Sequence, residues 1–150
     1  MKEKEQFMWG LEKEHAGIVK IFSSLEQILK KGEIGDAAYT LKTISKLKDT
    51  LINHLNNEDK IFYPDMRKKA IELSQDALLH ALDIFIEDMN KISKKVFDFF
   101  SKYENDMSGR EKEFIQDLAE VKDVLIKRIN SEEKTLYHIY KAYYNIQPVP

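Results

Sequence analysis

The 150-residue sequence contains no cysteine, only three prolines and only five glycines. Without thiolates, the chain can form neither disulfides nor iron–sulfur clusters, and it has no cysteine nucleophile. Proline and glycine are the residues that most often end helices, and two of the three prolines lie within the last three positions. Their scarcity therefore favours long helices.

The sequence also has no long hydrophobic run and no strong net charge. No apolar run approaches 18 residues, and the N-terminus does not have the apolar core of a signal peptide, so we expect a cytoplasmic protein without a membrane partner. The formal net charge is −2 and no basic stripe is present, so no nucleic-acid partner is expected. A hydrophobic content of 43% with 33% charged residues is typical of a folded globular protein.

Hydrophobic residues recur at spacings of three and four along four segments, which predicts four amphipathic helices. We predict these helices over roughly residues 7–31, 36–63, 75–104 and 109–143. Short connections favour antiparallel neighbours. The predicted fold is therefore all-α, an up-down-up-down antiparallel four-helix bundle that forms one domain over residues 1–150.

Local signals predict where these helices begin and end. Gly32 should end the first helix, and Asp36 should cap the second. Pro64 should end the second helix, Ser74 should cap the third, and Ser108 should open a capping box for the fourth.

A fourteen-residue block is repeated in the second and fourth predicted helices. Residues 51–64 align with residues 125–138, with six identical positions, and Glu58 falls on Glu132. His54 aligns with Arg128. A histidine and a glutamate four residues apart can share one ion, but an arginine stays protonated and cannot ligate. The repeat therefore resembles a twofold metal site in which one ligand is replaced by a fixed positive charge.

Polar residues interrupt the apolar stripe of every predicted helix at a similar height. His15, His54 and His80 occupy positions that should be apolar in the first three helices, and Arg128 does so in the fourth. Glu58 and Glu132 follow one turn later on the same inward faces. Buried carboxylates need a cation or strong hydrogen bonds, and imidazole–carboxylate sets bind iron, manganese and zinc. The alternative is a metal-free core in which the Arg128 guanidinium pairs with Glu132 or Glu58.

Taken together, these residues resemble the hemerythrin-like cation-binding family, often called HHE domains, over about residues 8–142. The matching elements are Glu14-His15, His54-Leu-Asn-Asn-Glu58 followed by Ile61-Phe-Tyr-Pro64, His80, and Glu132-Glu133-Lys-Thr-Leu-Tyr137. The resemblance implies a hemerythrin-like four-helix bundle with a non-haem di-iron centre and two bridging glutamates. It also implies dioxygen binding, oxygen or nitric oxide sensing, or iron handling as the activity.

Carried over to this chain, the resemblance implies that His15, His54, Glu58 and Glu132 hold one metal. The second metal position retains His80 but has Arg128 in place of a histidine. Asp76, four residues before His80, is either an oxygen ligand or a first-turn residue favoured by the helix dipole. The charge of Arg128 opposes a second ion, so the sequence predicts an atypical site with one iron rather than two.

We therefore expect a module that binds a metal, with iron favoured over zinc or manganese, and that senses or handles the metal, dioxygen or nitric oxide without turnover. No Ser-His-Asp set or phosphate-binding loop is visible in the sequence. Two alternatives remain open: a di-iron oxygen-binding or oxidoreductase protein, and a metal-free helical interaction module. The tyrosines near the end of the fourth helix either form a homodimer surface or pack beneath the C-terminal tail.

Overall fold

The computed structural model describes residues 2–150, and all regular secondary structure in that range is helical. This confirms the predicted all-α class. Seven α-helices and one π-helical segment follow in chain order: α1 (Lys2–Ser24), α2 (Glu26–Lys31), α3 (Ala37–Asn57), the π-helical segment (Glu58–Phe62), α4 (Tyr63–Glu72), α5 (Asp76–Lys102), α6 (Glu111–Lys134) and α7 (Leu136–Tyr144). Among the described residues, no helix is both long and apolar enough to cross a membrane.

The first two predicted boundary signals are confirmed. Gly32 adopts a left-handed conformation with φ of 68° directly after α2, and its N–H donates to the Ile28 carbonyl. Asp36 caps α3, because its side chain accepts a hydrogen bond from the Tyr39 N–H at 3.0 Å. The connection between α2 and α3 is therefore short and defined at both ends.

The other three predicted boundaries are wrong. Helical backbone continues past Pro64 to Glu72, because the proline directly follows the π-helical segment, where the regular hydrogen-bond pattern of the α-helix is already interrupted. Ser74 has φ of 54° and lies in the turn before α5, which begins at Asp76. In the described chain, α5 and α6 begin without a side-chain cap, so the capping box predicted from Ser108 does not form.

The sequence did not predict two breaks in α-helical geometry. In the π-helical segment, the Tyr63 N–H donates to the Glu58 carbonyl, five residues back instead of four. Between α6 and α7, Thr135 has φ of −114° and ψ of −82°, which interrupts the helix. Both breaks lie inside the repeated fourteen-residue block, just after its glutamate.

The apolar core has two parts, and a polar layer separates them along three helical segments. The larger cluster includes Ile18, Leu55 and Ile129. The smaller cluster includes Leu11, Phe62 and Leu136, which lie seven residues from them along the same helical stretches of the chain. The polar layer lies between them in sequence, at His15, Glu58 and Glu132, and all three side chains are buried. The helices thus present polar groups to one level of an otherwise hydrophobic interior.

Helix α5 is rotated relative to the sequence prediction. Leu82 and Met89 are buried, whereas His80, Ala81 and Ile84 are exposed. Residues two apart on an α-helix point about 200° apart, so burial of Leu82 turns His80 outward. The prediction that His80 lies in the apolar stripe is therefore wrong.

Two glycines should respond to alanine with opposite signs. Gly17→Ala in α1 should raise the free energy of unfolding by roughly 0.5–1 kcal/mol, because it removes backbone freedom from the unfolded chain. Gly32→Ala should lower it by about 1 kcal/mol, because a Cβ is strained at this left-handed position. Nothing lies within 4 Å of an added Cβ at either site, so packing does not contribute. Urea unfolding measures both; equal effects would contradict the backbone argument.

Candidate metal centre

Four buried residues converge in the polar layer: His15 from α1, His54 from α3, Glu58 from the π-helical segment and Glu132 from α6. One potential ligand atom from each lies within 4.8 Å of the corresponding atoms of the other three. Each of these residues is at most 3% exposed. The structure therefore brings together four of the residues that the sequence proposed as metal ligands.

The inward-pointing nitrogen of each imidazole, Nε2, lies close to a carboxylate oxygen. His15 Nε2 lies 3.0 Å from Glu132 Oε1, and His54 Nε2 lies 3.2 Å from Glu58 Oε1. The two imidazole rings are themselves close, with centroids 4.5 Å apart. Two nitrogen and two oxygen atoms thus face a common centre.

The outer nitrogens of both imidazoles are held by further carboxylates. His54 Nδ1 lies 2.7 Å from Glu14 Oε1, and Asn57 donates to the other oxygen of Glu14 at 2.7 Å. His15 Nδ1 lies 3.3 Å from Glu133 Oε2. A histidine that ligates a metal commonly donates its second ring N–H to such a carboxylate, which leaves the Nε2 lone pair for the ion.

Two buried tyrosines hold the glutamates in a crossed arrangement. Tyr63, five residues after Glu58, donates its hydroxyl to Glu132 Oε2 at 2.7 Å. Tyr137, five residues after Glu132, donates to Glu58 Oε2 at 2.9 Å. Each half of the repeat thus supplies a glutamate and the phenol that binds the glutamate of the other half.

The carboxylates favour positive charge at the centre. Burial lowers the pKa of His54, but the neighbouring carboxylates of Glu14 and Glu58 outweigh burial and raise it to about 10. Burial lowers the pKa of His15 as well, and Glu132 and Glu133 reverse the direction in the same way. A metal cation that replaces the imidazole protons would satisfy the same carboxylates.

The two inner carboxylates differ in their electrostatic environment. Burial, together with the neighbouring Glu132, raises the pKa of Glu58 to about 8. Burial also acts to raise the pKa of Glu132, but hydrogen bonds to Glu58 and His15 outweigh it and lower the value to about 2. The two buried carboxylates therefore differ in how readily they ionise, and the surroundings of Glu132 favour its charged form.

The residues fit a metal ion. His54 Nε2 is buried and has no hydrogen-bond partner of good geometry among residues 2–150, so a donor atom is available at the centre. A cavity of about 20 Å³, large enough for one water-sized group, lies against all four residues. Ligands at about 2.1 Å from an ion can be at most about 4.2 Å apart, so the 4.8 Å group needs only a small contraction.

Arg128 lines this cavity but does not pair with the carboxylates. Its guanidinium carbon lies 3.2 Å from the centroid of the Phe85 ring, and it donates to the Phe85 carbonyl. Within residues 2–150 it forms no ion pair with Glu58 or Glu132, whose oxygens contact histidines and tyrosines. The salt-bridged core that the sequence left open is therefore not the arrangement in this structure.

The remaining two candidate ligands are not brought to the centre. His80 and Asp76 are both exposed on α5, outside the four-residue group. The helix instead directs Met89 at the cavity. The structure thus gathers the residues expected for the first metal position and not those expected for the second.

Sequence reasoning assigned no role to several residues that complete the site. Glu14, Tyr63 and Tyr137 belong to the segments that carry the family resemblance, but the sequence predicts no function for them at the centre. The signal for the tyrosines was present, because Tyr63 and Tyr137 are identical positions of the repeat. An identical aromatic residue five positions after each glutamate indicates a shared role at the site.

The family model of the hemerythrin HHE cation binding domain matches residues 8–140. The matched range includes all four residues of the centre and confirms the resemblance drawn from the sequence. No curated relative and no solved structure matches the chain.

Replacement of Arg128 by lysine should lower the free energy of unfolding by about 2 kcal/mol, because an ammonium cannot both cover the Phe85 ring and reach its carbonyl as a guanidinium does. Lys127→Arg is the matched control: that side chain is 77% exposed, and the change should stay within about 0.5 kcal/mol. Urea unfolding compares the two. A neutral Arg128→Lys result would mean that only the charge matters.

Proposed function

We propose that this chain, which belongs to the hemerythrin HHE cation-binding domain family, binds a single metal cation through His15, His54, Glu58 and Glu132. The observation that carries the proposal is the orientation of the two imidazoles. Both have Nδ1 on an outer carboxylate and Nε2 on the buried centre, where His54 Nε2 has no hydrogen-bond partner of good geometry. Among residues 2–150, these four form the group that offers both imidazole and carboxylate donors at one buried point.

The proposed scaffold is one domain arranged as an up-down-up-down antiparallel four-helix bundle. Its four arms are α1 with α2, α3 through α4, α5, and α6 with α7. The contacts of α1 with α3 and α6, and of α5 with α4 and α6, support this order around the bundle. The short connections between the arms agree with antiparallel neighbours.

Iron is the proposed physiological ion, because the family resemblance implies a non-haem iron centre. The same imidazole–carboxylate set would also accept zinc or manganese. When bound, iron would supply one-electron redox chemistry and an electrophilic centre for small ligands. The residues of the chain would bind and orient the ion and exclude bulk water, since all four donors are buried.

The proposed role is sensing or handling of the metal, dioxygen or nitric oxide rather than turnover. Much of the wall of the cavity around the centre is apolar and is formed by Leu51, Leu55, Met89, Leu125 and Ile129. Such a wall admits a small uncharged gas more readily than a polar organic substrate. The cavity is also small, about 20 Å³, which favours a small gas over an organic substrate as the molecule that reaches the ion.

Metal binding is tested by counting ions and by measuring the stability that they add. Metal-free protein loaded with ferrous iron under anaerobic conditions should retain one ion per chain. At 100 times the dissociation constant, the ion should add about 2.7 kcal/mol to the free energy of unfolding. His54→Gln and Glu58→Gln should each remove most of that gain.

The matched control is His80→Gln, which should keep both the stoichiometry and the gain because His80 is exposed outside the centre. Two tightly held ions per chain would favour the di-iron alternative. Absence of any metal-dependent gain would favour the helical interaction module and overturn the proposal.

The gas-binding part of the proposal has a separate test. Nitric oxide added anaerobically to the ferrous protein should produce a new visible absorption band, because the gas binds to iron with charge transfer. The zinc-loaded protein, which has the same fold but a metal without redox chemistry, should show no change. An unchanged ferrous spectrum would restrict the role to metal handling.

A further inference from the structure

We propose that Tyr63 and Tyr137 are positioning residues that each hold one oxygen of a glutamate, so that Glu58 and Glu132 each offer a single oxygen to one ion. This inference rests on the proposed metal binding and deepens it. It concerns how many donor atoms the two carboxylates supply. The tyrosines would limit each carboxylate to one donor oxygen.

The carboxylate oxygens are divided in the same way on both glutamates. On Glu58, Oε1 lies 3.2 Å from His54 Nε2, whereas Oε2 accepts the Tyr137 hydroxyl at 2.9 Å. On Glu132, Oε1 lies 3.0 Å from His15 Nε2, whereas Oε2 accepts the Tyr63 hydroxyl at 2.7 Å. In each case one oxygen faces the imidazole nitrogens and the other faces a phenol.

Burial makes these phenol bonds persistent. Tyr63 is 4% exposed and Tyr137 is fully buried, so neither hydroxyl can exchange its carboxylate for bulk water. A buried donor that loses its partner remains unsatisfied, which is costly. Chelation of an ion by both oxygens of either glutamate would compete with the phenol bond, and so would bridging to a second ion.

The backbone is shaped to bring each tyrosine back to the centre. In a regular α-helix, a residue five positions after the glutamate would point about 140° away from it. The π-helical segment widens the turn between Glu58 and Tyr63, and the break at Thr135 lies between Glu132 and Tyr137. Each half of the repeat thus departs from regular α-helical geometry between its glutamate and its tyrosine, although the departures differ in kind.

Tyr137 has a second contact that could suggest a different role. Its hydroxyl also lies 3.2 Å from His15 Nε2, and its ring stacks on His15 with centroids 4.9 Å apart and planes 7° apart. A hydroxyl so placed could instead become a phenolate ligand. The crossed and equivalent bond of Tyr63 favours the positioning role, because no contact with a histidine nitrogen accompanies it within the described residues.

Cobalt(II) spectroscopy tests the proposal in the full-length chain. The visible absorption of cobalt(II) is strongest in four-coordinate sites and weakens as further donors bind. The wild-type chain should bind one cobalt ion with strong absorption. The Tyr63→Phe, Tyr137→Phe double variant should also bind one ion, but its absorption per bound ion should fall several-fold as the released oxygens join the ion.

Tyr140→Phe is the matched control. Tyr140 is fully buried on α7, one turn after Tyr137, and no hydrogen bond among residues 2–150 joins its hydroxyl to the four-residue centre. Its cobalt spectrum should coincide with that of the wild type. A change in Tyr140→Phe as large as in the double variant would show general loosening and overturn the positioning role.

The remaining outcomes separate the two proposals. If wild type and double variant bind one cobalt ion with the same spectrum, the positioning role fails and metal binding stands. If the wild type binds no cobalt, both fail. A visible charge-transfer band in the ferric wild type that disappears in Tyr137→Phe would show that Tyr137 ligates the ion, and it would also overturn the positioning role.

Discussion

The burial of two carboxylates at one level of a helical core is the constraint on which the rest of this structure depends. Glu58 and Glu132 are 1% and 2% exposed, and a pair of uncompensated charges there would destabilise the fold. Imidazoles on one side and phenols on the other supply the compensation. Removing one member of the polar layer would therefore leave its partner buried and unsatisfied.

Two helical arms depart from regular α-helical geometry beside this polar layer. A regular second helix would direct Tyr63 away from the centre, and the π-helical segment corrects its direction without ending the helix. In the fourth arm, the break at Thr135 lies between Glu132 and Tyr137 and likewise changes the direction of the tyrosine. Phe62 and Leu136, one residue before each tyrosine, are buried in the smaller apolar cluster, so packing stabilises both irregularities.

Helical periodicity explains both the correct and the incorrect predictions made from the sequence. Periodicity located the polar layer, because His15 and His54 interrupt apolar stripes that are otherwise regular. It misplaced His80, because the beginning of α5 offers apolar residues on more than one face and the burial of Leu82 decides the rotation. The π-helical segment has no sequence signal based on a period of 3.6, so periodicity alone does not predict the inward direction of Tyr63, which only the repeat indicates.

Arg128 shows why charge counting alone predicted the site incompletely. The sequence predicts that its guanidinium substitutes for a missing cation, which would place it against the carboxylates. In the structure the glutamate oxygens already have partners, and the guanidinium covers the Phe85 ring instead. In the proposed single-ion site, two features would act against a second ion: the outward turn of His80, and the occupation of one oxygen of each glutamate by a phenol. Arg128 adds positive charge at the cavity wall, so it would reinforce the limit that we propose for the tyrosines and for the rotation of α5.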